Sequence, residues 1–327
     1  MPKLFRTIVE PLKFHKLINH QRGIVMMGSC FSDNIGNRLQ SACFNVEVNP
    51  FGTLYNPASI ANGLKDIMHQ RVFVQDDLFQ FVGDNRWHSF SHHSSYSSVD
   101  SKIMLKNINE QISQSHRMLQ QASTLIVTFG TAWVYQLIET QQVVANCHKL
   151  PSNKFNRRLM SVNEIVEQWN GIIEQLRAQN EEIKIIFTVS PIRHLRDGAH
   201  ENQVSKSTLH LAIDTLVKSN EDVIYFPAYE IMNDDLRDYR FYTSDMTHPS
   251  DEAVDYIYEI FVQSFFDEET MKLASACERL TRRLLHRHMG DDQEAIIRFE
   301  QSTQELKTQM LQQYPFLQQA MTKIVTK

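Results

Sequence analysis

The sequence is poor in cysteine: it has four in 327 residues, and no two have the C-x-x-C spacing of a zinc site or a thioredoxin-like redox motif. Four scattered cysteines also make no disulfide framework, so each has to be judged alone. Cys43 and Cys277 lie within helical patterns, where a cysteine is commonly a small buried hydrophobic residue. Cys30 and Cys147 lie at the ends of predicted elements, and they stay open to a chemical role.

The sequence also lacks a marked excess of either charge and any long apolar run. Its formal net charge of −5 provides no clustered basic surface for nucleic acid or for an anionic membrane. No apolar stretch approaches the roughly 18 residues of a membrane span. Residues 1–21 carry charges and prolines where a signal peptide needs an uninterrupted apolar core. We therefore predict no nucleic-acid partner, no membrane span and a cytoplasmic location.

What the sequence does contain is the composition of a globular protein, with 42% hydrophobic and 22% charged residues. Short apolar runs alternate with longer amphipathic segments, which is typical of βαβ units and a parallel sheet covered by helices. The predicted core strands are 24–29, 45–48, 125–129, 183–189 and 223–226. The predicted helices are 33–42, 57–69, 100–121, 162–179, 203–219 and 250–265.

Two segments interrupt this rhythm. Residues 72–95 contain extended segments around the turn Gly-Asp-Asn, and residues 133–151 contain two short apolar runs, so each segment is predicted to form a hairpin. After residue 267 only helical patterns occur. We therefore predict an α/β domain over 1–266 and a helical C-terminal extension over 267–327, which packs on the core or mediates a homo-oligomer.

The first predicted strand ends in Gly28, Ser29 and Cys30, and the chain then enters a helix. Such a turn lies at the carboxyl edge of a parallel sheet, where open α/β folds bind ligands. Backbone N–H groups at a helix start favour an anion or a developing oxyanion, and they lower the pKa of a thiol. The turn therefore suits a nucleophile, although Gly-Ser at this point is also ordinary turn and helix-cap chemistry.

A second feature precedes the predicted helix 250–265. Asp245 and His248 are three residues apart, a spacing that lets a carboxylate orient an imidazole while the other ring nitrogen faces a substrate. A structural hydrogen bond is the alternative interpretation of the pair. Together with the first-strand turn, the pair predicts a site with a nucleophile, a base and an orienting acid.

With these two features the chain resembles the SGNH, or GDSL-like, hydrolase superfamily, in which a first-strand G-D-S turn and a late D-x-x-H supply the catalytic triad. It resembles still more closely the GSCFA family grouped with that superfamily. The matching segments are GSCFS (28–32), NPFGTLYNP (49–57), TFGTAWVY (128–135), VANCHKLP (144–151) and FTVSPIRH (187–194). The resemblance implies a three-layer α/β/α fold with a flavodoxin-like parallel sheet of the SGNH-hydrolase type.

The resemblance also implies a nucleophile at the first turn, in one of two registers. When Gly28-Ser29-Cys30 is aligned with G-D-S without a gap, Cys30 takes the position of the nucleophilic serine and Ser29 takes the position of the aspartate before it. A shift of one residue makes Ser29 the nucleophile, which is the commoner residue type in such sites. We prefer Cys30 as the nucleophile because the ungapped alignment places it there, and we keep Ser29 as the alternative. Asp245 then orients the imidazole, and His248 is the base.

Donors to an oxyanion are implied as well. Gly52 matches the glycine whose backbone N–H contributes to the oxyanion hole of the superfamily. Asn49 and Asn56 flank this glycine and carry amide donors, although Asn-Pro is also common in turns. The usual asparagine of the third conserved block is absent, because the strand end reads GTAW. Thr131 and Asn146 are the candidate replacements.

Other polar residues are less specific. Arg193 follows a predicted core strand and could bind an anionic group, while His148 could line the pocket. His88, His92 and His93 have no acidic or cysteine companions at ligand spacing, so no metal is predicted. No other cofactor is predicted.

The predicted function is acyl-group chemistry: hydrolysis of an ester or thioester, or transfer of an acyl group to a hydroxyl. The expected partner is a small-molecule or glycan acyl substrate. Two alternatives stay open. One is a non-catalytic SGNH-like module that binds a glycan or an acyl ligand. The other is a redox enzyme built on Cys30 and Cys147.

Overall fold

A computed structural model describes residues 6–81, 83–287 and 292–325. The strands, numbered along the chain, are β1 (Gly23–Gly28), β2 (Val46–Val48), β3 (Phe79–Phe81), β4 (Arg86–His88), β5 (Ala122–Phe129), β6 (Trp133–Leu137), β7 (Val143–Val144), β8 (Phe155–Leu159), β9 (Lys184–Val189) and β10 (Val223–Tyr225). The helices are α1 (Cys30–Ser41), α2 (Pro57–Met68), α3 (Ser101–Gln121), α4 (Val162–Gln179), α5 (Ala199–Ser219), α6 (Ala228–Glu230), α7 (Asp251–Phe265), α8 (Glu268–Leu284), α9 (Gln293–Gln313) and α10 (Gln318–Val325).

The centre of the molecule is a five-stranded sheet in the order β10-β9-β5-β1-β2, and every pairing in it is parallel. All five predicted core strands are confirmed in this sheet. Every residue of β1 and β5 is buried, because parallel strands covered on both faces need apolar side chains on both. The carboxyl ends of these strands therefore meet at one edge, where ligands bind in such sheets.

Helices cover both faces of the sheet. Along β1, Val25 and Met27 pack into an apolar cluster with α2, α3, α4 and α5, while Ile24 and Met26 pack into another with α1 and α7. The expected three-layer α/β/α fold is confirmed. The predicted helices are confirmed too, and α5 begins four residues earlier than expected because its polar first turn shows no apolar periodicity.

Both insertions are antiparallel, as predicted. The first is the hairpin of β3 and β4, and the second contains β6 and β7. The sequence did not predict β8, which pairs with β6, because two of its five residues are arginines. The guanidinium of Arg157 lies over the ring of Trp133, with its carbon 4.2 Å from the ring centroid, so this charged side chain packs against the neighbouring strand.

The helices that follow residue 267 pack against the end of α1. Cys43, Cys277 and Leu280 belong to the apolar cluster at this contact, and the expected burial of both cysteines is confirmed. The domain boundary at residue 266 and a homo-oligomer through these helices stay predictions. In the part of the chain that the structure describes, no helix is long and apolar enough to cross a membrane.

Candidate active site

The turn after β1 buries Ser29 and leaves Cys30 partly accessible. Ser29 is the N-cap of α1, and its Oγ accepts a hydrogen bond from the N–H of Phe31 at 3.3 Å. The same Oγ donates to the Oγ of Ser190, 3.0 Å away at the end of β9. Ser29 has no exposed surface. This hydroxyl is therefore enclosed and already bonded to its neighbours, and the choice between Ser29 and Cys30 as nucleophile stays a prediction.

Gly28 lets the turn form. Its φ is +150°, and an added Cβ would lie 2.2 Å from the backbone oxygen of Thr128 on β5. A side chain at this position would therefore push β1 and β5 apart at the edge where the site lies.

Cys30 is the first residue of α1, and its thiol meets a tyrosine that sequence reasoning missed. The Sγ atom lies 3.4 Å from the hydroxyl of Tyr55. Burial, together with the contact to Cys30, raises the pKa of Tyr55 well above its usual range, so the phenol keeps its proton. Tyr55 is part of the NPFGTLYNP segment, but no spacing rule indicated where its side chain points.

The backbone around Tyr55 is fixed to two strand ends. The N–H of Leu54 donates to the oxygen of Gly28 at 2.9 Å. The backbone oxygen of Tyr55 accepts from the N–H groups of Gly130 and Thr131, at 2.8 and 3.0 Å. Tyr55 is thus held between the ends of β1 and β5, which places its hydroxyl at Cys30.

Two of the predicted oxyanion donors, the N–H of Gly52 and the side-chain amide of Asn49, already have hydrogen-bond partners within the fold, and their role at an oxyanion stays a prediction. The N–H of Gly52 donates to the oxygen of Asn49 at 2.7 Å and closes a tight turn. In Asn49, Oδ1 accepts from the N–H of Gly28 at 2.8 Å, and Nδ2 donates to the carboxylate of Asp33 at 2.7 Å. Both ends of this amide therefore have a hydrogen-bond partner that supports the turn.

The other three candidates also have local structural contacts. The Oδ1 of Asn56 caps α2 by accepting from Ser59 N–H at 2.8 Å. The hydroxyl of Thr131 lies 3.0 Å from the Oγ of Ser205. The Oδ1 of Asn146 accepts from the N–H of His148 at 2.9 Å. Their part in an oxyanion hole stays a prediction, because these contacts of Asn56 and Asn146 use the amide oxygen and not the donating NH₂ group.

Asp245 and His248 form the orienting contact that their spacing predicted. The Oδ2 of Asp245 lies 2.5 Å from Nδ1 of His248. Its Oδ1 accepts from the N–H groups of Thr247 and His248, at 2.8 and 3.0 Å. These bonds, led by the one from the His248 N–H, hold the pKa of Asp245 well below its usual range. The ionised carboxylate therefore orients the imidazole through Nδ1, and Nε2 is the ring nitrogen that Asp245 does not bind.

The segment that follows β9 connects this loop to the turn after β1. Ser190 is bonded to Ser29, as described above, and Arg193 donates its N–H to the oxygen of Thr247 at 3.0 Å. The guanidinium of Arg193 donates to the oxygen of Met246 at 3.2 Å. Arg193 therefore holds the loop that carries His248, and its expected contact with an anionic group stays a prediction.

His194 lies among the same groups. Its ring is edge-on to Tyr55, with 5.7 Å between centroids, and its Nε2 is buried against Gly130 without a hydrogen bond. Burial, with smaller effects from Lys206 and His248, lowers the pKa of His194 to about 3. This imidazole is therefore neutral, and it neighbours both Tyr55 and His248.

The loop of His248 is connected to the turn after β1 through the segment 190–193. Among the described residues, no hydrogen bond joins the His248 ring to Cys30 or to Ser29. The side chain of His248 is 47% exposed and lies on a loop. Cys30 at the end of β1 and the loop of His248, which is bonded to the segment after β9, therefore both lie at the carboxyl edge of the sheet.

A buried lysine that sequence reasoning also missed ties two strand ends together beneath the site. Lys206 on α5 donates from Nζ to the backbone oxygens of Gly130 and Ser190, both at 2.7 Å. Burial lowers the pKa of Lys206 to about 7. A single lysine in an amphipathic helix pattern usually lies on the solvated face, so no sequence signal indicated this role.

This lysine predicts a pH-dependent stability. Between pH 7 and 10.5 Lys206 is neutral in the folded chain and protonated in the unfolded chain. Because the unfolded state then binds the extra proton, the free energy of unfolding should rise with pH by up to about 1.4 kcal/mol per unit, relative to Lys206→Met. Urea unfolding of both chains from pH 6 to 10 measures the difference, with Lys218→Met on the exposed face of α5 as the control. If the free energy of unfolding changed with pH in the same way in the wild type and in Lys206→Met, the prediction would be contradicted.

The histidine-rich segment and the VANCH segment pack against each other. The Nε2 of His148 lies 2.8 Å from the oxygen of Ser89, and its ring packs on that of His88. His148 is therefore engaged in this contact, and burial lowers its pKa to about 4. Within residues 6–81, 83–287 and 292–325, no three His, Cys, Asp or Glu side chains form a group that could hold a metal ion.

The redox alternative has little support from the thiols. All four cysteines are free. Burial raises the pKa of Cys147 to about 11, so its thiol stays protonated at neutral pH. Because the thiolate is the reactive form in disulfide exchange, Cys147 is a poor partner for Cys30.

Comparison with known proteins gives a match to one family and similarity to several solved structures. The model of the GSCFA family matches residues 23–261. The search of curated proteins gave no significant match. Among solved structures, the acetyl xylan esterase Est2A from the rumen bacterium Butyrivibrio proteoclasticus is similar at 11% identity and a TM-score of 0.38, over 74% of this chain and 63% of that one. The alignment thus spans less than two thirds of that esterase. A family 3 carbohydrate esterase from Talaromyces cellulolyticus is similar at 9% identity and a TM-score of 0.35, over 78% and 98%.

Proposed function

This chain belongs to the GSCFA family, and from that premise we propose that it cleaves acyl esters or thioesters through Cys30. The observation that carries the proposal is the gathering of three groups at one sheet edge. These are a partly accessible thiol at the start of α1, the protonated hydroxyl of Tyr55 beside it, and an imidazole oriented by Asp245. A nucleophile, a proton donor and an oriented base are the groups that acyl transfer needs.

Cys30 is the better nucleophile of the two candidates. It occupies the first helical position, where the helix dipole favours negative charge, and its side chain is not enclosed. The neighbouring Ser29 is fully buried, and its hydroxyl caps the helix. An acyl substrate can therefore approach Cys30 without disturbing the turn that presents it.

In the proposed reaction His248 Nε2 takes the thiol proton while the sulfur bonds to the acyl carbon. The carbon–oxygen bond to the leaving group then breaks, and the leaving alkoxide takes the proton from the imidazolium. Water, deprotonated by the same imidazole, then attacks the resulting thioester; the carbon–sulfur bond breaks, the acid leaves, and the Cys30 sulfur takes the proton back from the imidazolium. A substrate hydroxyl in place of water would give acyl transfer instead.

The loop of His248 supports this role without yet making the contact. The carboxylate of Asp245 keeps the proton on Nδ1, so Nε2 is the basic nitrogen. The loop is tied to the turn through the 190–193 segment. Catalytic hydrogen bonds are often long in a free enzyme and shorten when the substrate binds.

A non-catalytic acyl- or glycan-binding module is the second candidate. The observation that favours it is the use of the Gly52 N–H and the Asn49 amide within the turn, which removes two expected oxyanion donors. The two proposals differ in whether Cys30 reacts.

Two probes separate these candidates. Iodoacetamide and a fluorophosphonate are applied in parallel, with peptide mapping, and turnover of p-nitrophenyl acetate is measured before and after. We expect iodoacetamide to label Cys30 and abolish turnover, and the fluorophosphonate to leave Ser29 unlabelled. Labelling at neither residue, together with no turnover, would favour the binding module. Fluorophosphonate labelling of Ser29 would transfer the nucleophile role to serine.

A further inference from the structure

The proposed reaction lacks an identified donor to the oxyanion. When the thiolate adds to the acyl carbon, negative charge develops on the acyl oxygen, and removing one donor to that oxygen typically costs about 100- to 1,000-fold in rate. The turn around Gly52 uses its own N–H and amide groups, and the usual asparagine is absent after β5. A working enzyme therefore needs a donor that replaces them.

We propose that the hydroxyl of Tyr55 is this donor. The inference rests on the proposed function, because it assigns a role in acyl transfer at Cys30. The hydroxyl lies 3.4 Å from the Cys30 Sγ, and the acyl oxygen is bound to the same carbon that the sulfur attacks. A group this close to the sulfur is therefore within reach of the developing charge.

The phenol is able to donate a hydrogen bond. Its pKa is raised by burial first and by the contact with Cys30 second, so it stays protonated over the working pH range. A neutral hydroxyl can stabilise the oxyanion without giving up its proton. Among the described residues, the Tyr55 hydroxyl has no hydrogen-bond partner other than the Cys30 thiol.

The position of Tyr55 is also set before the substrate arrives. Its backbone oxygen binds the N–H groups of Gly130 and Thr131, and its neighbour Leu54 is bonded to Gly28. The ring of His194 packs edge-on against its ring. A donor that is already in place does not have to reorganise during the reaction, which is the condition for strong oxyanion stabilisation.

As an oxyanion donor, Tyr55 neither gains nor loses an atom in the reaction. The sulfur–carbon bond forms, the carbonyl π electrons move to oxygen, and the thiol proton goes to His248. Tyr55 donates a hydrogen bond to that oxygen and keeps its proton. When the carbonyl re-forms, the bond to the leaving group breaks, and the leaving group takes the proton from His248.

The test is Tyr55→Phe, with turnover of p-nitrophenyl acetate measured per titrated Cys30. We expect kcat to fall by about 100- to 1,000-fold and KM to change by less than about threefold, because the hydrogen bond forms only when charge develops. Tyr258→Phe is the matched control: this buried tyrosine lies on α7, and its hydroxyl has no hydrogen bond within the described part of the chain. Its kcat should be unchanged.

A second substrate separates oxyanion binding from a structural role. In p-nitrophenyl thionoacetate a sulfur atom, which accepts hydrogen bonds weakly, replaces the acyl oxygen. Tyr55→Phe should therefore lower kcat much less for the thionoester than for the ester, whereas a displaced Cys30 would slow both equally. Titration of Cys30 with iodoacetamide and thermal unfolding count the folded sites in each variant.

The outcomes are distinguishable. If the unsubstituted chain turns over the ester and is labelled at Cys30, but Tyr55→Phe keeps kcat within about threefold, the role of Tyr55 is overturned while the proposed function stands. Equal losses for ester and thionoester also overturn it. If the unsubstituted chain shows neither turnover nor labelling, the proposed function fails and the oxyanion role fails with it.

Discussion

Replacing Cys30 with alanine is expected to lower kcat toward p-nitrophenyl acetate by about 100,000-fold or more, since removing the nucleophile of such a site removes the covalent route entirely. The thiol is a partly accessible side chain at the helix start. We therefore expect Cys30→Ala to fold like the unsubstituted chain. Steady-state turnover, with thermal unfolding of both proteins, measures the effect.

Ser29→Ala is the matched control, one residue away in the same turn. It removes the helix cap and the hydrogen bond to Ser190, so we expect a loss of about 1 kcal/mol in the free energy of unfolding. Its kcat should stay within about tenfold of the wild type, because the hydroxyl takes no part in the proposed chemistry. The reverse pattern, with activity lost in Ser29→Ala and kept in Cys30→Ala, would exclude Cys30 as the nucleophile.

The framework of the fold could be predicted from the sequence because its strands are buried on both faces. Such strands appear as uninterrupted apolar runs, and the helices between them show apolar periodicity. Strand β8 was not predicted because Arg157 and Arg158 interrupt the apolar pattern. Their stems and guanidinium groups pack against or bond to neighbouring side chains, as Arg157 does on Trp133, and a pattern of residue types does not show this.

The candidate site was predictable where a role depends on local spacing. The three-residue spacing of Asp245 and His248 is enough to bring carboxylate and ring together. The role of Gly52 was not predictable in this way, because it depends on whether its N–H is already used in a turn. Tyr55 and Lys206 were missed because their roles arise from contacts between segments far apart in sequence.

Lys206 and Arg193 show how the fold itself supports the site. Lys206 joins the ends of β5 and β9 from below, and Arg193 joins the segment after β9 to the loop of His248. Neither residue touches Cys30 through a described hydrogen bond. Their N–H groups donate to backbone oxygens, so they fix where the strand ends and the loop lie.

Asp245→Asn is the second substitution with a large expected effect, and we expect it to lower kcat by about 1,000- to 10,000-fold. An asparagine can still accept the N–H groups of Thr247 and His248 through its oxygen, so the loop should keep its shape. Its NH₂ group, however, would face Nδ1 and donate to it. The ring proton would then move to Nε2, and the imidazole could no longer take the proton of Cys30.

His248→Ala should reduce kcat at least as much, by about 100,000-fold, because it removes the base itself. Asp238→Asn is the matched control, since Asp238 also accepts a backbone N–H in an exposed loop, from Arg240 at 2.8 Å, and faces no histidine there. Turnover and iodoacetamide labelling of all three variants at neutral pH measure the effects. Full activity in Asp245→Asn would show that the carboxylate only shapes the loop. Loss of activity in Asp245→Asn but not in Asp238→Asn would show that the proton on Nδ1 is what makes His248 a base.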